Sequence, residues 1–245
     1  MTASMQPAWV LGRQPYRDSS YLVHLITAQD GRVSAVVKGA HRKQQGGMMA
    51  SLLQPFNPLL VKLGGLSELK YMASAESAGM ALALNGEKWL TGLYLNELLT
   101  RLLPKHDPAP TVFSAYGRSL ETISRSDEAE LTLRRFELIL LEVLGYEIQW
   151  TVDAAGSKVQ ADSYYNYYSD RGFIEVAPGS DRAELCGADL MTLNRWFADN
   201  AAIDATLRVK LKRIMREAIS YRLGGQPLKV RDAFNEWRQL RGIPE

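Results

Sequence analysis

The sequence predicts an α+β protein in which a small β-barrel is followed by a mainly α-helical domain. Residues 1–80 contain five short runs rich in β-branched and large apolar residues, with turn residues between them. Near residue 80 the apolar residues change from the spacing of strands to the spacing of helices. A small non-helical insert later interrupts the helical pattern. We therefore predict domains at residues 1–80 and 81–245, with the insert at about 146–180.

The barrel is predicted from its turns and from alternation. A run of β-branched and large residues at 21–27 is followed by Asp30 and Gly31, the strongest short hairpin signal. Residues 33–37 alternate loosely before a basic loop, and a later run stops at the glycine pair 64–65. Five short strands in about 75 residues favour a barrel of the OB or SH3-like kind.

The helical domain is predicted from helical spacing and from stop signals. Residues 87–103 place leucines at helical spacing, and Pro104 ends that helix. The helix that ends at Gly145 is apolar almost all round, so we expect it to lie at the centre of the bundle. Further helices are predicted at 111–123, 189–198, 205–223 and 230–240, and a β-hairpin at 164–176.

The composition limits the compartment and the chemistry. Cys186 is the only cysteine, which excludes an intramolecular disulfide and a multi-cysteine zinc site and fits a reducing cytoplasm. No stretch approaches the roughly 20 apolar residues that a membrane helix needs. The N-terminus has no apolar run that would mark it for secretion. We therefore expect a cytoplasmic protein with no membrane contact.

The common catalytic motifs are missing from the sequence. It contains no phosphate loop, no H-E-x-x-H or G-x-S-x-G motif, and no dinucleotide fingerprint after a strand. Its carboxylates do not sit as pairs in the glycine-rich setting typical of metal-dependent nucleases. We predict a protein that acts by binding and not as an enzyme, with no cofactor and no metal ion.

The charges are distributed unevenly along the chain. The net charge is +4 over residues 1–80, −8 over 81–206 and +6 over 207–245. Two basic regions separated by an acidic one indicate a polyanionic partner contacted from both ends. The alternative is that the basic C-terminal helices, above all the cation-rich helix at 208–222, pair with the acidic middle of the chain. The charge pattern does not choose between the two.

The barrel carries the clearest binding pattern. The loop at 38–43 gathers three cations beside glycines, at a barrel edge that a phosphate backbone could approach. Aromatic residues in the same barrel could stack on bases, at about 1–3 kcal/mol per base, or fill the barrel core. These aromatic residues are Tyr16, Tyr21, Phe56 and Tyr71. The predicted DNA-binding residues are Arg13, Arg17, Arg32, Lys38, Arg42, Lys43, Lys62 and Lys70.

A second candidate site lies on the apolar helix. At helical spacing Arg134 and Leu138 share one face, and Arg135 lies next to them. A guanidinium beside an apolar stripe can receive a short acidic and hydrophobic peptide with a free carboxylate. Alternatively, Arg134 pairs with a glutamate of the bundle such as Glu97 or Glu137.

Four stretches together resemble the bacterial RecO family of recombination mediators. They are LLQPFNPL (52–59), GLYLNELLTR (92–101), LRRFEL (133–138) with LGY (144–146), and GGQPLK (224–229). The resemblance covers essentially the whole chain and keeps the order of the family's motifs. It implies an N-terminal OB fold and a helical C-terminal domain.

The resemblance also implies a function and its partners. Such proteins bind single- and double-stranded DNA and anneal complementary strands coated by single-strand binding protein. Together with RecR they help to replace that coat with RecA, and they use no nucleotide cofactor. The family contacts the acidic C-terminal tail of single-strand binding protein near the LRRFE motif, which assigns tail binding to Arg134, Arg135 and Leu138. A cytoplasmic, nucleoid-associated protein is expected.

The sequence departs from the family in the insert. Many members hold a zinc ion with four cysteines after the LGY motif, but residues 150–180 contain no cysteine. We therefore expect no zinc, and the predicted hairpin must hold the insert together by packing. Two alternatives to the mediator are a nuclease with a non-standard site and a protein scaffold whose barrel binds peptide.

Overall fold

The structure of the protein is a computed structural model that describes residues 4–40, 46–126, 128–179 and 185–242. The chain packs as two compact units. The barrel unit comprises Met1–Ala129 and Leu228–Glu245, and the helical unit comprises Glu130–Pro227. The predicted domain boundary at residue 80 lies inside the barrel unit. Independent folding of residues 1–80 stays a prediction.

The elements of the described residues follow the predicted order of strands, helices, insert and helices, except that a short helix not predicted from the sequence lies between the third and fourth strands. In chain order they are β1 (Gln6–Tyr16), β2 (Ser20–Thr27), β3 (Gly31–Val37), α1 (Gly46–Leu52), β4 (Pro58–Gly64), β5 (Leu69–Ser77), α2 (Glu87–Leu102), α3 (Pro110–Arg125), α4 (Ala129–Val143), β6 (Tyr164–Tyr168), β7 (Gly172–Val176), β8 (Leu185–Cys186), α5 (Gly187–Asp199), α6 (Ala205–Arg222) and α7 (Lys229–Leu240).

The N-terminal strands close into a barrel of OB type. Their order around the barrel is β1-β2-β3-β5-β4, and β4 pairs with β1 to close it. Neighbouring strands are antiparallel except for β3 and β5, which are parallel. This topology confirms the OB-type barrel and, with the helices and the small sheet that follow, the predicted α+β class.

Alternation along the strands separates the core from the outer surface. On β3, Val33, Ala35 and Val37 are buried in the barrel core, so Arg32 and Ser34 face outward.

The predicted turn before β3 depends on glycine for two reasons. Gly31 has φ +65°, and a Cβ at this position would lie 1.9 Å from the carbonyl oxygen of Asp107.

A buried amide joins the barrel to the helices of the same unit. Asn96 on α2 donates from Nδ2 to the carbonyl oxygen of Leu11 on β1 at 2.7 Å. Its Oδ1 accepts from the hydroxyl of Tyr116 on α3 at 2.6 Å, and burial raises the pKa of that tyrosine. Since buried polar groups need partners, this network fixes how β1, α2 and α3 pack.

The last helix docks on α2 through a capping carboxylate. Glu97 accepts hydrogen bonds from the backbone N–H groups of Lys229 and Val230, each at 2.9 Å. A carboxylate at a helix N-terminus satisfies free N–H groups and complements the helix dipole. The Leu228 side chain that precedes α7 is buried, so α7 belongs to the barrel unit although it lies at the end of the chain.

The insert of the helical unit contains the predicted β-hairpin. Strands β6 and β7 pair in an antiparallel register, and β8 adds to the other edge of β6. Tyr165 and Phe173 are buried, and the Trp150 ring lies 5.6 Å from that of Phe173. Packing of aromatic rings therefore supports the insert.

Candidate nucleic-acid interface

The outer surface of β2 and β3 is the part of an OB barrel that binds oligonucleotides, together with the β1–β2 and β4–β5 loops. Here Leu22 lies opposite Val36, and His24 lies opposite Ser34. The His24 Nδ1 and Ser34 Oγ atoms are 2.9 Å apart, within hydrogen-bonding distance. Strand β5 continues this surface, because Tyr71 pairs with Val36. We call these five side chains the barrel face.

Tyr71 is the exposed aromatic residue of the barrel face. Its side chain is 52% exposed, and its ring lies against the backbone of Gly64 on β4. A Cβ at Gly64 would come within 2.4 Å of the ring, so only glycine allows this contact. The ring is therefore held in place while half of it faces solvent. Tyr21 is buried in the barrel core, as the alternative predicts, whereas Phe56 is buried against Trp89 and Gly92 of α2.

Two of the predicted cations lie at one end of the barrel face. Arg17 is exposed in the turn between β1 and β2, and its guanidinium lies 5.2 Å from the centre of the Tyr16 ring. Lys38 is exposed directly after β3. Because Tyr21 pairs with Val37, the two cations lie at the same end of these strands. Both side chains are therefore open to solvent at this end of the barrel.

Two further predicted cations are held by the barrel itself. Arg13 stacks 4.7 Å above the centre of the Tyr21 ring and donates to the carbonyl oxygen of Ala50 on α1. Lys70 donates to the carbonyl oxygen of Gly65 at 3.0 Å, within the β4–β5 hairpin. Both side chains therefore have structural partners before any ligand arrives.

Arg32 supports the segment that follows α2. Its Nε donates to the carbonyl oxygen of Leu103 at 2.7 Å, and burial lowers its pKa while Glu68 opposes the shift. Burial also lowers the pKa of His24, and the charges of Arg32 and Lys105 lower it further. The segment after α2 therefore lies beside the start of β3, where Arg32 and Lys105 also form a β-bridge.

The remaining predicted cations are separate from the barrel face or lie outside the described residues. Lys62 is on the outer side of β4, opposite Ser74 on β5. Strand β4 lies between β1 and β5, so Lys62 is not next to β2 or β3. Arg42 and Lys43 lie outside the described residues.

The second candidate site has an internal partner. Arg134 and Glu137 form an ion pair on α4, with Nη1 and Oε2 2.7 Å apart, and both side chains are buried. The Arg134 Nε and Nη1 atoms have no hydrogen-bond partner among the described residues, so the pair is ionic without a well-directed hydrogen bond. Of the two glutamates considered as partners, Glu137 is the one found, because Glu97 caps α7.

The neighbours of Arg134 also take part in packing. Arg135 donates to the carbonyl oxygens of Trp196 at 2.7 Å and Phe197 at 2.9 Å, near the end of α5. Its guanidinium lies 4.7 Å from the centre of the Trp196 ring, and burial lowers its pKa. Leu138 is buried. All three predicted tail-binding residues therefore contribute to the helical unit itself.

Some cations of the basic helix α6 pair with other residues of the helical unit, which was the second alternative for this helix. Lys210 pairs with Asp189 at 2.6 Å, and Lys212 pairs with Glu130 at 3.4 Å. Arg222 donates to the carbonyl oxygen of Ser169 at 3.1 Å. For Lys210 and Lys212, the structure therefore agrees with the alternative of pairing with acidic residues of the chain.

Across residues 4–40, 46–126, 128–179 and 185–242, no three His, Cys, Asp or Glu side chains converge to hold a metal ion. No helix in this part of the chain has the length and apolar character to cross a bilayer.

An OB-type barrel with an aromatic and basic outer face, joined to helices, defines a nucleic-acid-binding class of architecture. Residues 1–80 match the family model described as Recombination protein O N terminal, and residues 83–232 match Recombination protein O C terminal. The chain therefore belongs to the RecO family of DNA repair proteins.

Individual relatives cover nearly the full chain. The DNA repair protein RecO of Methylococcus capsulatus is 40% identical over 93% of this chain and 91% of its own. The protein of the same name from Stutzerimonas stutzeri is 40% identical over 95% of this chain and 94% of its own. That of Pseudomonas putida strain GB-1 is 41% identical over 94% of this chain and 97% of its own.

Proposed function

We propose that the protein is a DNA repair and recombination mediator that binds single- and double-stranded DNA. It anneals complementary strands coated by single-strand binding protein and, with RecR, promotes the loading of RecA. Membership of the RecO family supports this proposal. The observation that carries it is the barrel face, where exposed Tyr71 lies on the surface that OB barrels use. It would act in the cytoplasm, on nucleoid DNA.

The barrel would bind DNA with two kinds of contact. Arg17 and Lys38 are exposed and would neutralise phosphates, which releases counterions and makes binding sensitive to salt. Tyr71 would stack on a base, which requires an unpaired strand. Arg42, Lys43 and Lys62 would add phosphate contacts, while Arg13, Arg32 and Lys70 would act mainly by holding the barrel in shape.

The helical unit would bind the acidic tail of single-strand binding protein at Arg134, Arg135 and Leu138. The support is the incomplete hydrogen bonding of Arg134, because a buried guanidinium gains from a carboxylate with better geometry. Binding would require the tail carboxylate to compete with Glu137. Arg134→Ala is expected to lose tail-peptide binding while DNA binding is kept. Normal tail binding by this variant would refute the assignment.

The two activities would act together. Holding coated strands through the tail raises the local concentration of DNA at the barrel. The decisive experiment is annealing of complementary strands coated with single-strand binding protein, with and without its tail. We expect annealing without ATP, and slower annealing when the tail is removed. Equal rates would refute the proposed role of the tail.

The competing proposal is a nuclease, and it predicts a different outcome. Labelled DNA incubated with the protein and Mg²⁺ or Mn²⁺ is expected to remain intact, because the proposed mechanism needs only binding. Reproducible cleavage that copurifies with the protein would overturn the mediator proposal.

A further inference from the structure

The helical unit contains a pocket of about 380 Å³ that has no part in the DNA binding proposed for the barrel. One wall is a single face of α6, since its residues recur at helical spacing. The other wall is strand β6 with the start of β8. The pocket is lined by Tyr165, Asn166, Tyr167, Tyr168, Leu185, Lys210, Arg213, Ile214 and Glu217.

The helical wall is polarised along its length. Arg213 places positive charge toward the N-terminal end of this face, beside Lys210, whose charge is paired with Asp189, and Glu217 places negative charge toward the other end. Lys210 and Glu217 are seven positions apart, which corresponds to about 10 Å along the helix. Buried Ile214 and Leu185 supply the apolar part of the lining. A ligand that fits is anionic at one end and donates hydrogen bonds at the other.

The acidic end combines a carboxylate with a tyrosine hydroxyl. Glu217 is exposed, and partial burial raises its pKa, which a backbone hydrogen bond from Ser169 and the charge of Arg213 partly offset. Burial likewise raises the pKa of Tyr167, whose hydroxyl lies in the same lining.

We propose that this pocket binds one unstacked nucleotide of a DNA strand, as a second DNA contact separate from the barrel face. The base lies beside the Tyr167 side chain, with an N–H group donating to Glu217. Its phosphate lies toward Arg213, at the end of the face where Lys210 holds Asp189. The inference rests on the proposed DNA binding and adds a second site to it.

The charge arrangement favours a nucleotide over an acidic peptide. Every DNA base has N–H groups that a carboxylate can accept, whereas a peptide rich in Asp and Glu would bring like charge to Glu217. Aromatic side chains beside cations are also the combination that holds single strands. The pocket is therefore matched to a base with its phosphate.

Cross-linking locates the contact directly. A single-stranded oligonucleotide that contains 5-iododeoxyuridine is bound to the full-length protein and irradiated, and the cross-linked residues are found by mass spectrometry. We expect adducts on Tyr167 or Tyr168 as well as in the barrel. Adducts confined to the barrel would overturn the inference and leave the proposed function standing.

Variants of α6 test the two ends of the pocket separately. Arg213→Ala is expected to weaken oligonucleotide binding roughly threefold to tenfold and to reduce the salt slope by about 0.7. Arg216→Ala is the matched control, since Arg216 is exposed on the same helix and does not line the pocket. An equal effect of the two variants would refute the pocket as a specific contact. Lys210 is left intact because it also holds Asp189.

Glu217→Ala separates hydrogen bonding from general electrostatics. Removing a negative charge from a merely basic surface strengthens DNA binding. If Glu217 accepts from a base, binding weakens instead, and this is the expected result. Unchanged or tighter binding would overturn the inference. If the wild-type protein does not bind DNA at low salt, the proposed function itself is wrong. The results of these variants alone would not lead to that conclusion.

Discussion

The barrel and the helical unit use their cations in opposite ways. Arg17 and Lys38 stand exposed at one end of the barrel face, on a turn and at a strand end. On the helices, Arg134 pairs with Glu137, and Arg135 holds two carbonyl oxygens of α5. Residues three or four apart on a helix meet, so Arg134 finds Glu137 on its own helix. Arg135 instead finds its partners on another helix of the same unit.

The net charge of a segment does not equal the positive charge that the folded protein exposes. The segment after residue 206 carries the largest positive net charge, yet Lys210 and Lys212 pair with acidic groups of the helical unit. The accessible positive charge at the barrel face comes from a less basic segment. Net charge therefore predicts a polyanion partner only after internal pairs have been subtracted.

The largest expected effect tests the internal pair. Glu137→Ala leaves the buried Arg134 guanidinium without its counter-ion, and such changes cost about 3–5 kcal/mol of unfolding free energy. Urea unfolding followed by circular dichroism measures the loss. The double variant Arg134→Met with Glu137→Leu is the control, and it should recover most of the stability. If the single and double variants are equally stable, the ion pair does not contribute to the free energy of unfolding, and Arg134 is available to bind a ligand.

Local patterns in the sequence predicted much of this fold. The Asp30-Gly31 turn, the alternation at 33–37 and the proline after α2 each specify structure through neighbouring residues, and each agrees with the observed elements. The pairing of Arg134 with Glu137 was one of two alternatives, because both glutamates were near in the chain or in the bundle. Sequence spacing alone could not show that the Glu97 carboxylate caps the N-terminus of α7.

The contacts that were not predicted depend on distant segments. Arg32 meets the carbonyl oxygen of Leu103, 71 residues away, so no local pattern reveals that it supports a loop. The pocket in the helical unit joins a tyrosine-rich strand to one face of α6. Both parts are visible in the sequence, but their meeting is not. Asn96 among leucines was the one local sign of a buried polar network.

A variant of Tyr71 tests whether the barrel binds DNA by base stacking. Tyr71→Ala removes a base-stacking ring, and binding of single-stranded DNA should weaken by about 1–3 kcal/mol. Binding of double-stranded DNA should change little, because paired bases are not available to stack. Fluorescence anisotropy with both DNAs measures the difference, and Tyr71→Phe should keep wild-type affinity. Equal losses for both DNAs would mean that Tyr71 only packs on Gly64.

The contrast between exposed and internal cations is tested by salt dependence. Lys38→Ala should reduce the magnitude of the salt slope for single-stranded DNA by about 0.7, because one phosphate contact is lost. Its thermal stability should stay unchanged. Arg135→Ala should do the reverse, lowering stability by about 2 kcal/mol while the salt slope is kept. If both variants change the same quantity, the two units do not differ in the way inferred.

The smallest expected effect concerns the charge around His24. Burial, Arg32 and Lys105 lower the pKa of this histidine, whereas an unfolded chain has a His pKa of about 6.5. As pH falls below that value, the unfolded state gains its proton first, so His24 makes the folded state less stable. The Tm should therefore fall less steeply with decreasing pH in His24→Asn than in wild type, over about pH 7.5 to 5. Parallel curves would show that burial and the neighbouring cations do not lower the pKa of His24 in the folded protein.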